Sequence, residues 1–203
     1  MGRLSGKNIL IIIPKDYYDE EELEIPYELL KSEDANIIVA SSKMKEAVGV
    51  KAGRRMPDRL IVDCMEGITG DSYVTGGTGT RQIKGVFQGV VLVGGSGARI
   101  YLWEDKIVRL LITDRYKSEF VVAAIGQGIG CLAEANLVEA LEVPVNENIA
   151  KKPFLKILEK GKALLSDEDL IIHERLVMGK DSSIAEAFAQ AVIDEVEKIT
   201  KIK

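Results

Sequence analysis

The sequence contains few cysteines and few aromatic residues. Of its 203 residues, two are cysteines and 5% are aromatic. Two cysteines cannot form the disulfide framework of a small secreted protein, so we expect a reduced, cytoplasmic protein. The scarcity of aromatic residues argues against a surface on which nucleic-acid bases stack. The 27 basic and 32 acidic residues give a net charge of −5, so we expect no nucleic-acid partner.

Long hydrophobic runs are also missing. The apolar runs at 9–13 and 120–125 are far shorter than the ~20 residues that cross a bilayer. We therefore expect no membrane partner. Arg3 and Lys7 precede an apolar run that is too short for the core of a signal peptide, and we expect none.

Short β-branched runs alternate with segments of helical periodicity. This alternation predicts one α/β domain over 1–203, with a doubly wound, mostly parallel sheet sandwiched by helices, as in flavodoxin-like folds. The segment 42–85 fits the pattern poorly, and we expect an insertion or hairpin region there. Strands are predicted at 8–14, 36–41, 60–64, 89–93, 120–125, 169–173 and 175–178, and helices at 16–31, 104–118, 129–138, 152–160 and 183–199.

An acidic run opens the first predicted helix. Asp19 followed by Glu22 fits a capping box, in which both side chains bind backbone N–H groups at the helix start. The other acids of 16–24 complement the positive end of the helix dipole. The run has no ordered ligand spacing, and His173 is the only histidine, so we expect no metal site and no cofactor.

Three loops follow predicted parallel strands. They are 15–19, 94–98 and 126–128. Ligands of doubly wound folds bind beyond the carboxyl ends of the strands, so we expect the ligand site where these loops meet.

The last of these loops lies in the segment Ala124-Ile125-Gly126-Gln127-Gly128, which has the strand-turn-helix layout of a nucleophile elbow. In such an elbow, a residue on a strained turn projects its side chain over the sheet beside backbone N–H donors. Around it the chain resembles the PfpI/ThiJ (DJ-one-like) superfamily, whose fold is akin to class I glutamine amidotransferases. The matching blocks are 9–13 with 19–23, 90–95, 122–128 with 132–135, and 176–177 with 184–192.

The resemblance implies a degenerate family site at Asp19, Gly126 and Gln127. The family's elbow usually reads Ala-Ile-Cys-His-Gly, so Gly126 stands at the position of the reactive cysteine and Gln127 at that of its histidine neighbour. The family's acidic partner comes from the first strand-helix loop, where Asp19 matches. Glycine cannot form a covalent intermediate, and glutamine cannot shuttle protons near neutral pH. We therefore expect cysteine-dependent hydrolase or glyoxalase chemistry to be absent.

The same resemblance implies backbone N–H donors at Gly94 and Gly95. Together with Gly128 at a helix start, they would form an anion-binding nest. The alternative is that these glycines only permit tight turns. The predicted ligand-binding residues are Asp19, Gly94, Gly95, Gly126, Gln127 and Gly128.

Two further residue types leave alternatives open. Cys131 lies on the helix after the elbow and is either a buried core thiol or a relocated nucleophile; Cys64 is either a core thiol or a redox partner. Trp103 either walls the pocket, fills an interface or packs in the core.

These patterns predict a non-catalytic binding or regulatory pseudoenzyme with a small-anion pocket at the former active site. One alternative is an enzyme of altered mechanism, either glyoxalase/deglycase-like or hydrolase/peptidase-like, that uses Asp19 and backbone N–H donors. Another is an oligomeric structural or chaperone-associated protein. The resemblance also implies a homo-oligomer, a dimer or larger.

Overall fold

A central sheet with helices on both faces organises the protein. The computed structural model describes residues 2–65, 87–145 and 150–199. The strands are β1 (Asn8–Ile12), β2 (Asn36–Ser41), β3 (Ala47–Val48), β4 (Arg54–Arg55), β5 (Arg59–Leu60), β6 (Gly89–Leu92), β7 (Val121–Ile125), β8 (Glu142–Pro144), β9 (Leu164–Ser166), β10 (Leu170–His173) and β11 (Leu176–Gly179). The helices are α1 (Glu20–Ser32), α2 (Ile61–Cys64), α3 (Ser96–Tyr101), α4 (Lys106–Lys117), α5 (Ile129–Glu134), α6 (Lys152–Lys160) and α7 (Ala185–Glu197).

The main sheet has seven strands in the order β10-β11-β7-β6-β1-β2-β5. All neighbouring pairs are parallel except β10 with β11. The chain starts at β1, winds outward through β2 to β5, and then returns to β6 on the other side of β1. This reversal is the doubly wound arrangement, so the predicted fold class is confirmed.

Burial on both faces explains the uninterrupted apolar strands. In β1, Ile9 and Ile11 pack into a core that also holds Leu23 of α1 and Phe188 of α7. Their neighbours Leu10 and Ile12 pack into a second core with residues of α4 and α5. A parallel strand covered on both sides has no solvent face, and hence shows no polar alternation in sequence.

The prediction of a strand at 60–64 is wrong over most of its length. Only Arg59–Leu60 pairs, with Ala40 and Ser41 at the edge of the sheet. The chain then turns into α2, which buries Ile61 and Cys64 against the core. Pairing at the sheet edge therefore extends over only two residues here. The apolar side chains that follow are buried by a helical turn.

The segment after β2 contains a hairpin. Strands β3 and β4 pair antiparallel, and Tyr17 N–H donates to the carbonyl oxygen of Val48 at 2.5 Å. The hairpin therefore packs on the loop that follows β1. The rest of the predicted insertion, 66–85, lies outside the described residues.

The helix predicted at 129–138 ends earlier, at Glu134. Asn136 has a positive φ of 55°, and Leu137 N–H donates to the carbonyl oxygen of Leu132 at 3.0 Å. A left-handed residue with a backward hydrogen bond of this kind ends a helix. Within the described ranges, no helix combines the length and apolarity that crossing a bilayer requires.

Candidate ligand-binding site

The three loops singled out in the sequence lie together at the carboxyl edge of the sheet. Gly97 N–H donates to the carbonyl oxygen of Tyr17 at 2.9 Å, and Asp19 N–H donates to that of Gly94 at 3.4 Å. A β-carbon placed on Gly94 would lie 2.7 Å from the backbone nitrogen of Gln127. The loops are thus packed backbone to backbone, which fixes the residues between them.

The elbow is a single 3-10 turn, Gly126–Gly128, between β7 and α5. Gly126 has a φ of +55°, a conformation that costs other residues roughly 1–2 kcal/mol. A β-carbon placed there would also overlap Oε1 of Glu22. Backbone conformation and available space therefore both favour glycine at this position.

The Glu22 carboxyl lies directly against Gly126 of the elbow. Its side chain is 4% exposed. Oε2 accepts a hydrogen bond from Gly94 N–H at 2.8 Å. Oε1 lies against Gly126, and no described residue forms a hydrogen bond with it. The buried face of α1 carries Glu22, Leu23, Pro26 and Leu30, so the phase of the helix directs this carboxyl inward.

Burial raises the pKa of Glu22 from 4.5 to about 8, and the nearby charges of Asp19 and Asp181 add to the rise. The hydrogen bond from Gly94 N–H opposes it. The carboxyl is therefore predominantly protonated at pH 7. Because Oε2 accepts from Gly94, the proton belongs on Oε1, the oxygen that has no partner among the described residues.

Asp19 caps α1, as the predicted capping box requires, but it is not the carboxyl that lies against the elbow. Its Oδ1 accepts hydrogen bonds from Glu21 N–H at 3.0 Å and Glu22 N–H at 3.2 Å, so it is the N-cap of α1. The carboxyl next to Gly126 belongs to Glu22, one helical turn further on. The structure thus reassigns the acidic partner of the elbow from Asp19 to Glu22. The predicted capping box is half formed, because only Asp19 caps.

A cavity of about 250 Å³ opens above the elbow. Of the predicted ligand-binding residues, Asp19, Gly95, Gly126 and Gln127 line it. Two others do not. Gly94 uses its N–H on Glu22, and Gly128 packs against the carbonyl oxygen of Leu92. Gly94 N–H, one of the three donors of the predicted nest, is therefore taken by Glu22.

The apolar wall of the cavity contains Val145 and Phe154, both buried. Phe154 stacks on Trp103 with ring centroids 6.0 Å apart. The indole N–H of Trp103 donates to the carbonyl oxygen of Gln127 at 2.7 Å. Trp103 thus packs in the core and supports both the wall and the elbow.

Charged side chains surround the cavity mouth. Asp181 accepts hydrogen bonds from Ser183, and Lys180 is bound to Asp169 at 3.0 Å. Lys151 also lines the cavity and has no ion-pair partner within the described ranges. It is the lining cation that is free to meet a ligand.

Neither cysteine reaches the cavity. Cys64 and Cys131 are free thiols, 1% and 2% exposed, in the same core cluster. Burial raises the pKa of Cys64 to about 11 and that of Cys131 further still. A thiol becomes a nucleophile through its thiolate, so these environments keep both groups inert. The described residues also hold no cluster of three or more His, Cys, Asp or Glu side chains placed for a metal ion.

Replacing Glu22 with glutamine is expected to change how stability depends on pH. The pKa of Glu22 is raised in the folded protein, so its contribution to the free energy of unfolding is largest below about pH 4.5 and falls as pH approaches 8. The fall is at most about 5 kcal/mol. Urea unfolding at pH 5 and pH 8.5 should show a larger loss of stability in wild type than in Glu22→Gln.

Glu28→Gln is the matched control, because Glu28 is exposed on the same helix. It should retain the wild-type pH dependence. Equal pH dependence in wild type and Glu22→Gln would contradict the raised pKa.

A double-mutant cycle tests the contact at the elbow. Gly126→Ala should lower the free energy of unfolding by about 2–4 kcal/mol, through backbone strain and displacement of the Glu22 carboxyl. In a Glu22→Ala background only the strain of about 1–2 kcal/mol should remain. Gly6, which is exposed with a φ of +79°, supplies the control. Gly6→Ala should be additive with Glu22→Ala, and additivity at Gly126 would exclude the contact.

Known proteins are similar to this chain in sequence and in fold. A protein of Methanocaldococcus jannaschii that is described as uncharacterized is 26% identical over 194 residues, which cover 96% of this chain and 84% of the relative. A ThiJ/PfpI domain protein from Brachyspira murdochii superposes with a TM-score of 0.77 at 23% identity, over 96% of this chain and 100% of the other. Drosophila melanogaster DJ-1beta superposes with a TM-score of 0.72 at 17% identity, over 98% and 92%.

The sequence pattern of one family spans most of the chain. The family model of the DJ-1/PfpI family matches residues 7–195, from the start of the first strand to the last helix. The resemblance drawn from the sequence is thereby confirmed: the chain belongs to the DJ-1/PfpI family.

Proposed function

We propose that this protein is a binding or regulatory pseudoenzyme, which holds a small anionic ligand noncovalently in the cavity above Gly126. The observation that carries the proposal is the contact between Gly126 and Glu22. Gly126 has no side chain with which to attack a substrate. The Glu22 carboxyl lies where a β-carbon at this position would be, so a side chain there would have to displace it.

The neighbouring groups support the same conclusion. Gln127 beside the elbow binds hydrogen-bonding partners but does not exchange protons near pH 7. The thiols of Cys64 and Cys131 are buried in the core, and their pKa values are raised by burial. A relocated cysteine nucleophile therefore finds no support.

Two features of the cavity favour an anion. Lys151 supplies a positive charge that no described residue neutralises. The raised pKa of Glu22 keeps the innermost carboxyl neutral at pH 7, so it donates a hydrogen bond to the ligand and does not repel it.

A second candidate, an enzyme of altered mechanism, is favoured by that same carboxyl. A group with a pKa of about 8 can take and return a proton near neutral pH. The residue concerned is Glu22, whereas the sequence had pointed to Asp19. In this case the elbow would bind the substrate and Glu22 would act as general acid and base.

Turnover measurements separate the two candidates. Wild type, Glu22→Gln and the control Glu28→Gln are assayed with methylglyoxal, a small α-oxoaldehyde, and with a fluorogenic peptide. The pseudoenzyme predicts rates no higher than buffer for all three proteins. Activity that survives repurification, is retained in Glu28→Gln and is lost in Glu22→Gln would overturn it in favour of the second candidate.

A further inference from the structure

The cavity above the elbow continues into a second, smaller hollow. This hollow has a volume of about 80 Å³ and shares Gln127, Lys151 and Phe154 with the main cavity. Arg99, from α3, also lines it. The two spaces thus adjoin at these three shared residues, and we treat them as one site.

The two ends of this site differ in charge. The inner end, which is the main cavity, is lined by the carboxyls of Asp19, Glu22 and Asp181. Of the two lysines that also line it, Lys180 is paired with Asp169, and Lys151 is shared with the smaller hollow, here called the outer hollow. The outer hollow holds Arg99 and Lys151, both exposed and without an ion-pair partner among the described residues. A negatively charged group is repelled by Asp19 and Asp181 and attracted by the two cations, so it belongs in the outer hollow.

At the inner end, the Glu22 carboxyl presents a hydrogen-bonding oxygen that no described residue satisfies. Glu22 is 4% exposed, and its Oε1 lies against Gly126 at the cavity floor. Because Glu22 lines the cavity, a ligand bound there can form a hydrogen bond with this oxygen. The neutral carboxyl of Glu22 donates through this oxygen, so the matching ligand atom is an uncharged acceptor such as a carbonyl oxygen.

The middle of the site is apolar. Val145 and Phe154 form its walls, and Phe154 is fixed by stacking on Trp103. A short hydrocarbon segment is the chemistry that such walls accommodate.

We propose that the site binds an oxo acid, with its carbonyl oxygen at Glu22, its short carbon chain against Phe154 and its carboxylate between Arg99 and Lys151. This inference rests on the proposed binding function and names the class of its ligand.

Four probes with one five-carbon skeleton test it. They are 4-oxopentanoate, pentanoate, pentan-2-one and 4-aminopentanoate, each titrated into isotope-labelled protein and followed by backbone amide NMR. We expect 4-oxopentanoate to bind about tenfold more tightly than either probe that lacks one of its two groups. It should shift the amides of Gly126 and of Arg99 and Lys151 together.

Variants assign each end of the ligand. Arg99→Gln and Lys151→Gln should each lower the affinity for 4-oxopentanoate about three- to tenfold, because these residues contact the carboxylate. Neither substitution should change the affinity for pentan-2-one. Glu22→Gln keeps a donor at the same place and should retain binding, whereas Glu22→Leu should lower the affinity for 4-oxopentanoate to that for pentanoate.

Three results would overturn the inference. Tighter binding of 4-aminopentanoate would show that the inner end recognises an ammonium group. Equal binding of 4-oxopentanoate and pentan-2-one would show that the outer cations take no part. Absence of binding by all four probes would exclude this ligand class. These experiments measure binding and not turnover. The proposed function is therefore tested separately, by the activity assays.

Discussion

The contact between Gly126 and the Glu22 carboxyl is the constraint on which the site depends. The turn after β7 requires a positive φ at Gly126, and the absence of a side chain leaves a volume that Glu22 fills. Filling it removes the carboxyl from water, and this burial is the main cause of its raised pKa. The absence of a side chain at Gly126 thus allows the Glu22 carboxyl to be buried, and burial favours its neutral, hydrogen-bond-donating form.

The surrounding fold holds this contact in place from three directions. Asp19 caps α1, the helix whose buried face carries Glu22. Gly94, after β6, anchors Oε2 through its N–H. Trp103 binds the carbonyl oxygen of Gln127 and stacks on Phe154, which ties the elbow to the cavity wall. The floor of the ligand site is therefore held by contacts from several elements.

The fold could be predicted from sequence because its strands are buried on both faces. Runs such as 8–14 and 120–125 have few other structural explanations, and their alternation with helices implies a parallel sheet. The elbow was also visible, since Gly126-Gln127-Gly128 directly follows such a strand. The prediction of a strand at 60–64 was wrong because the length of an edge strand depends on its pairing with the neighbouring strand. The local sequence does not show that pairing.

The identity of the site's acid could not be predicted in the same way. In sequence, Asp19 and Glu22 together fit a capping box, which would place both carboxyls at the start of α1. Which of the two turns toward the core depends on the helix phase. The spacing of Glu22 with Leu23, Pro26 and Leu30 was the available clue. Arg99 and Lys151 line the same hollow although they lie far apart in the chain, so no local sequence pattern contains both.

The central claim is that a neutral carboxyl occupies the elbow. Its most direct test is a pH titration of the Glu22 side-chain carboxyl carbon by NMR, assigned by comparison with Glu22→Gln. A midpoint near pH 8 would bear out the account, because burial beside Gly126 is what raises this pKa. A midpoint near 4.5, the ordinary value for a solvated glutamate, would show a charged, hydrated group and contradict it.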